Sequence, residues 1–116
     1  MQREFLKSKL HRPRITETDL AYEGSLTVDP ALLEAADIAP YEKVQVVNVT
    51  NGERLVTYAI EGEPGEGELC LNGAAARLGE VGDVVIVLSF GYYDSRDDHD
   101  PIVVYVDDDN TVDSVE

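Results

Sequence analysis

The stretch from Lys43 to Ile60 limits the fold more than any other part of this chain. Lys43 to Val49 reads as a strand, Asn51-Gly52 as a tight hairpin turn, and Glu53 to Ile60 as the returning strand. The middle of the chain is thereby committed to β structure.

Around this hairpin the other segments are short. Residues 3–15 mix apolar and charged positions in an extended pattern, which Pro13 limits near its end, and lead into a turn expected at Thr16-Glu17-Thr18-Asp19. Leu26 and Val28 alternate with Thr27 in a brief strand. Asp29-Pro30 then opens a helix through Ala36, because Asp29 can cap free amides and Pro30 suits the first helical position; Leu32, Leu33 and Ala36 would face inward. After an acidic loop at 61–67 come a strand at Leu69 to Leu71, a second short helix from Gly73 to Leu78 with Asn72 as its cap, a buried strand from Asp83 to Phe90, and a last strand from Ile102 to Val106. The fold class is mainly β with short helices.

An internal echo runs at an offset of 40 residues. Ala35-Ala36-Asp37-Ile38 followed by Val44-Gln45-Val46 aligns with Ala75-Ala76-Arg77-Leu78 followed by Val84-Val85-Ile86. Two units of short helix, tight loop and apolar strand suggest a pseudo-twofold small barrel.

At 116 residues the expectation is one domain spanning 1–116, with a single core. No apolar run is long enough for a membrane span and Met1-Gln2-Arg3-Glu4-Phe5 is not a signal peptide, so a cytoplasmic location without membrane contact is expected. The lone Cys70 lies in Leu69-Cys70-Leu71 and reads as a buried structural thiol; with two histidines there is no metal-site spacing. A net charge of −15 argues against nucleic acid as a partner. Yet Arg3, Lys7, Lys9, Arg12 and Arg14 fall within the first fourteen positions against Glu4 alone. Such a positive segment either attracts a small anionic substrate or pairs with the protein's own acids. From Asp94 onward acids dominate, and 94–116 is expected to be a partly flexible acidic tail in which His99 is a solvated loop residue.

The chemistry, if there is any, sits in Tyr22-Glu23-Gly24-Ser25. A glycine carbonyl has little steric cover, and Gly24 can take backbone angles closed to other residues, so a strained turn could press the Ser25 hydroxyl against it. An acyl shift followed by β-elimination would then cut the chain and leave an electrophilic group at position 25. Gly-Ser is also ordinary turn chemistry. Arg54, a guanidinium fork beside the hairpin turn, is the natural partner for a carboxylate. Lys9 and His11 lie two apart on the first strand and share a face. Tyr58 is a plausible proton donor, and the amides of Gly73, Ala74 and Ala75 with Asn72 offer anion donors at a helix start. Strict alternation sets Arg54 and Tyr58 on one face of their strand and Thr57 on the other, so either a bulge intervenes or the two serve sites in different subunits. Tyr22 could form a pocket wall.

Phe5-Leu6-Lys7-Ser8-Lys9-Leu10-His11-Arg12, Ala21-Tyr22-Glu23-Gly24-Ser25, Asn51-Gly52-Glu53-Arg54-Leu55-Val56-Thr57-Tyr58-Ala59-Ile60 and Asn72-Gly73-Ala74-Ala75-Ala76 occur in that order. This series closely resembles the pyruvoyl-dependent aspartate 1-decarboxylases, from residue 5 to about residue 110. The resemblance implies a six-stranded double-psi β-barrel, a homotetramer with active sites between subunits, and decarboxylation of L-aspartate to β-alanine for pantothenate and coenzyme A synthesis. It implies self-cleavage between Gly24 and Ser25 into a β chain 1–24 and an α chain 25–116, with Ser25 becoming the pyruvoyl cofactor that forms a Schiff base with the substrate. It further implies that Tyr58 donates the proton, that Arg54 and Lys9 engage carboxylates, and that Thr57 supports processing. Arg77, where many relatives have histidine, and the acidic 61–68 loop depart from the usual pattern. Glutamate or another acidic amino acid as substrate, and a non-enzymatic β-barrel binding module, remain the alternatives; whether a maturation factor assists cutting is open.

Overall fold

Burial alternates along several of the strands, most clearly over 43–48 and 84–89, and the computed structural model, which describes residues 1–116, gathers the buried sides around one core. Nine strands form, where the family resemblance implied six: β1 (Arg3–Arg14), β2 (Glu17–Asp19), β3 (Ser25–Val28), β4 (Lys43–Asn48), β5 (Arg54–Glu61), β6 (Leu69–Asn72), β7 (Val84–Tyr93), β8 (Ile102–Val106) and β9 (Val112–Val115). They lie in a single sheet in the order β2-β6-β3-β5-β4-β7-β1-β8-β9, whose ladders do not close. The core holds sixteen buried apolar residues, most of them on the inner face of the sheet, among them Leu10, Leu26, Val46, Leu71, Val87 and Val104.

The helix α1 (Pro30–Ala36) forms as its cap predicts: Asp29 accepts from the amide of Ala31 at 2.9 Å, and Leu32, Leu33 and Ala36 are buried. The other Asp29 oxygen accepts from Gly67 at 2.8 Å, tying the helix start to the 61–68 loop. Burial alone would raise this carboxyl's pKa; the amides of Ala31, Gly67 and Gly65 outweigh it and hold the group charged to lower pH.

The β4–β5 hairpin is present, with Gly52 at φ +80. The reversal is wider than a two-residue turn. Asn48 Oδ1 accepts from the amides of Thr50 and Asn51, and the Asn48 amide donates to Glu53 O at 2.8 Å. The echo between the two halves has a structural counterpart. β4 pairs antiparallel with β7, with Val46 opposite Val87 and Val47 opposite Ile86. Adding the offset of 40 to Val46 and subtracting it from Val87 turns the first pair into the second, so the register maps onto itself, as a pseudo-twofold axis between the strands requires.

Four expectations change. Residues 17–19 are a strand parallel to β6, not a turn, because Thr16 exchanges bonds with Leu69 and draws the chain alongside. β7 is buried on one face only: Val85, Val87 and Ser89 point into the core while Val84, Ile86 and Leu88 face out. β8 is not the last strand, since β9 pairs with it antiparallel. His99 is half-buried, stacked on Tyr93 with ring centroids 4.5 Å apart and bonded through Nε2 to Lys7 O at 2.9 Å, so it pins the 94–100 loop to β1.

The basic N-terminal segment divides between its two readings. Lys7, the extra residue at a register shift in the β1–β7 ladder, reaches Glu42 at 2.8 Å, and Arg14 reaches Asp108 at 3.3 Å, so these two pair with the protein's own acids. Glu42 also accepts from Ser89 Oγ at 2.6 Å and from the amide of Ala39 at 3.0 Å.

Candidate active site

Ser25 opens β3 and is 1% exposed. The β3–β6 ladder sets it opposite Asn72, and the parallel β3–β5 ladder sets Leu26 opposite Ala59. Continued by one and two residues toward the chain start, that parallel register brings Ser25 beside Tyr58 and Gly24 beside Thr57, at the edge of β5 that lies before β3 begins to pair. The Gly24–Ser25 peptide thus lies where a strand begins, as its sequence context predicts.

The hydroxyl of Ser25 is held from two sides: Oγ donates to Glu23 O at 3.0 Å and accepts from Asn72 Nδ2 at 2.9 Å. The second N–H of the same amide goes to Thr27 Oγ1 at 2.8 Å, and Asn72 Oδ1 accepts from Cys70 Sγ at 3.1 Å. Asn72 therefore does not cap the 3₁₀ helix at Gly73–Leu78, as the sequence suggested; its side chain is spent on the strand opposite. Thr27 and Cys70 were not nominated from the sequence. The signal for both was available, since each lies two residues along a strand from a nominated residue and so shares its face.

The tight backbone position belongs to Gly73 rather than Gly24. Gly73 has φ +66, and a methyl there would sit 2.7 Å from Gly24 Cα and 2.8 Å from Gly24 N. Gly24 itself avoids the left-handed region, and a methyl added to it would meet nothing within 4 Å. The expectation of glycine-only angles at Gly24 fails. What the glycine provides is an exposed residue with open space around its Cα.

Two clefts flank this peptide. One, of about 460 Å³, is bordered by Ser25, Tyr22, Glu23, Tyr41, Tyr58 and Glu61. The other, of about 380 Å³, is bordered by Gly24, Thr57, Tyr58, Asn72, Ala74 and Ala75. The β4–β5 register runs without a shift from Arg54 to Tyr58, so no bulge intervenes, and Thr57 and Tyr58 point to opposite faces of the strand. Tyr22 stands at the cleft wall, as expected. Tyr41, at φ +69 with its ring 6.1 Å from that of Tyr58, adds a wall that nothing in the sequence signalled.

Lys9, His11 and Arg54 stand elsewhere. Residues directly opposite in neighbouring strands share a face, and the ladders place Arg54, Val47, Ile86, His11 and Tyr105 in one row across the outside of the sheet. Lys9 lies in the next row, through Val56, Gln45, Leu88 and Val103. Three strand spacings separate Arg54 from His11, about 14 Å, and Arg54 lies about 10 Å along β5 from Thr57. None of the three borders either cleft, and the charged groups at the Ser25 cleft are Glu23 and Glu61. Burial, then the charges of Lys9 and Arg12, push the pKa of His11 below its ordinary 6.5, and its Nδ1 is buried without a partner. The base cluster is thus a real feature of the outer face, but one chain does not aim it at Ser25.

Comparison with known proteins follows the same lines. The family model described as aspartate decarboxylase matches residues 1–113. The chain is 57% identical over 112 residues to the aspartate 1-decarboxylase of Haloquadratum walsbyi, covering 97% of this chain and 96% of that one. It is 55% identical to the enzyme of that name from Syntrophobacter fumaroxidans, over 95% of this chain and 90% of the other. In fold it resembles a rationally designed double-psi β-barrel, mkDPBB_sym_86, with a TM-score of 0.51 and 17% identity over 66% of this chain and 90% of the designed one.

Proposed function

Since this chain belongs to the aspartate decarboxylase family, we propose that it removes the α-carboxylate of L-aspartate to give β-alanine and carbon dioxide, after cutting itself between Gly24 and Ser25. The observation that carries the reading is the environment of Ser25: a buried hydroxyl with one donor and one acceptor fixed, next to an exposed glycine with open space at its Cα.

The processing step uses only this chain's atoms. Ser25 Oγ adds to the Gly24 carbonyl carbon while its proton passes toward the departing nitrogen, exchanging an amide for an ester. Loss of the Ser25 α-proton then expels the Gly24 carboxylate, and one water displaces ammonia, leaving chains 1–24 and 25–116. Thr57, on the Gly24 side, is assigned to support the shift, and Asn72 Nδ2 to hold the oxygen.

The site suits a pyruvoyl group made from Ser25, because Asn72 Nδ2 already donates to the oxygen at position 25, and Ala74 and Ala75 at the helix start border the cleft beside Gly24. Such a ketone supplies a carbonyl that condenses with the substrate amine and takes up the electron pair left when carbon dioxide departs. Tyr58, at the Ser25 cleft, returns the proton to the α-carbon. Tyr22 and Tyr41 wall the cleft.

A dianionic substrate needs cations that the Ser25 cleft of one chain lacks. Arg54, Lys9 and His11 lie on the exposed outer face of the sheet, beside Val56, which is 58% exposed, and Phe90, 41% exposed. Burying such a face against another copy brings those bases to a neighbour's Ser25. A homotetramer with sites between subunits is the assembly we propose.

Release of carbon dioxide, with the amine product identified (β-alanine from aspartate, 4-aminobutanoate from glutamate), is measured side by side from the two acids and tests the substrate. Product from aspartate in the processed protein and none in Ser25→Ala is expected; faster release from glutamate would overturn the substrate assignment.

A further inference from the structure

We propose that Thr27 and Cys70 are positioning residues for self-processing, acting together to fix which way the Asn72 amide faces Ser25. The inference rests on the reading that the Gly24–Ser25 bond is cut, and assigns what sets the nucleophile's hydrogen bonds before that cut.

The β3–β6 ladder pairs Ser25 with Asn72 and Thr27 with Cys70, so four polar side chains form a square on one face. Three of its members are buried, Ser25 at 1% exposed, Asn72 at 2% and Cys70 at 3%, while Thr27 is half-buried at the edge of the square. An amide has two donors on nitrogen and an acceptor oxygen, and rotation by half a turn exchanges them with little change of shape. Here both N–H groups are used, on Ser25 Oγ and Thr27 Oγ1, while Oδ1 receives the thiol of Cys70.

Turned over, the amide would give up the 3.1 Å bond from Cys70 Sγ, leaving the S–H only the 3.9 Å contact to Leu71 O and setting an N–H against a sulfur that accepts weakly. Burial, and after it the charges of Glu17, Glu68 and Asp19, push the thiol's pKa to about 11, so it stays a donor across the working pH range. Thr27 acts in the same sense by offering the second N–H an acceptor.

The orientation matters because it decides where the Ser25 proton goes. With Nδ2 toward it, Oγ receives a bond from Asn72 and sends its proton to Glu23 O, and a lone pair is left for the Gly24 carbonyl. With Oδ1 toward it, the Ser25 proton would turn to Asn72 instead, and the hydroxyl would lose its donor.

Uncut wild-type chain is warmed beside Cys70→Ala, Cys70→Ser, Thr27→Val and Thr27→Ser, with intact mass following loss of the precursor and melting temperature recorded for each. Cys70→Ala and Thr27→Val should each cut about fivefold more slowly, the rate equivalent of one neutral hydrogen bond, whereas the serine variants should cut within about twofold of wild type. A fivefold loss not matched in melting temperature separates positioning from plain stability. Because the chain has one cysteine, the S–H stretching band in the Raman spectrum reports Cys70 alone. In an uncut Ser25→Ala background it should move to higher frequency when Asn72→Leu removes the acceptor. Wild-type cutting with all four variants equally fast, serine variants as slow as alanine and valine, or an unmoved band would each overturn the inference and leave the enzymatic reading standing. A wild-type chain that never cuts would overturn both.

Discussion

Replacing Gly73 with alanine should damage the fold and the processing site together, although the residue added is one methyl group. The backbone there has φ +66, where a side chain costs about 1–2 kcal/mol. The new carbon would also lie 2.7 Å and 2.8 Å from Gly24 Cα and N, and 3.1 Å from Tyr22 O. All three are backbone atoms with no rotamer to change, so strands must part; overpacking of this kind costs about 1–3 kcal/mol. The sum, about 2–5 kcal/mol, should appear in urea unfolding of the uncut Ser25→Ala protein at fixed protein concentration. Gly24→Ala is the control. Its methyl meets nothing within 4 Å and its backbone avoids the left-handed region, so it should cost no more than about 1 kcal/mol. With Ser25 intact, Gly73→Ala should also slow cutting, since the displaced atoms belong to the residue that carries the scissile carbonyl. A Gly73→Ala protein as stable as Gly24→Ala, cutting at the wild-type rate, would refute the reasoning.

Other outcomes follow from the same structure. Burial opposes the charge on Glu42, but Lys7, Ser89 and the Ala39 amide outweigh it and hold its pKa below the ordinary 4.5. A carboxyl lowered in the fold contributes stability above 4.5 that is lost as pH falls through the lowered value, so unfolding free energy should decline in that acid window, less steeply in Glu42→Gln, which at neutral pH should cost about 1–3 kcal/mol; parallel acid curves would contradict this. With a net charge of −15, raising salt from 0.1 M to 1 M shortens the screening length from about 10 Å to about 3 Å and should raise the melting temperature; a fall would show that the exposed ion pairs matter more than self-repulsion. Tyr58→Phe should cut normally and lose about 10²–10⁴ in turnover, and full turnover would remove it from the proton-donor role.

Local signals carried much of the fold. The Asp29-Pro30 helix start, the strand after Gly24 and the hairpin near Asn51-Gly52 depend on neighbours in sequence, and they appear where they were read, the hairpin with a wider reversal than the tight turn expected. β2 was missed because Glu17-Thr18-Asp19 becomes a strand only through Thr16 and its partners on β6, fifty residues away. β9 was missed because acids surround Val112 and Val115, hiding the alternation that β8 completes. At the site, Ser25, Thr57, Tyr58 and Asn72 are assembled by ladder register, which carries from one nominated residue to the next. The role of Gly73 could not be read, since a close approach between β6 and the Gly24 turn is a tertiary fact. Asn72 was misjudged as a cap because its competing partners, Ser25 and Thr27, lie on another strand. Lys9 and His11 were correctly read as sharing a face, as were Arg54 and Tyr58, but the distance of Lys9, His11 and Arg54 from Ser25 depends on strand order, with β4 and β7 between β5 and β1.

Intact-mass analysis of the purified protein tests the central claim most directly. Self-processing to a pyruvoyl group predicts two fragments, one ending at Gly24 with a free carboxylate and one beginning at position 25, whose masses sum to the chain plus one water minus one ammonia. A single uncut chain of 116 residues after prolonged warming, or fragments summing to the chain plus water alone, would contradict it.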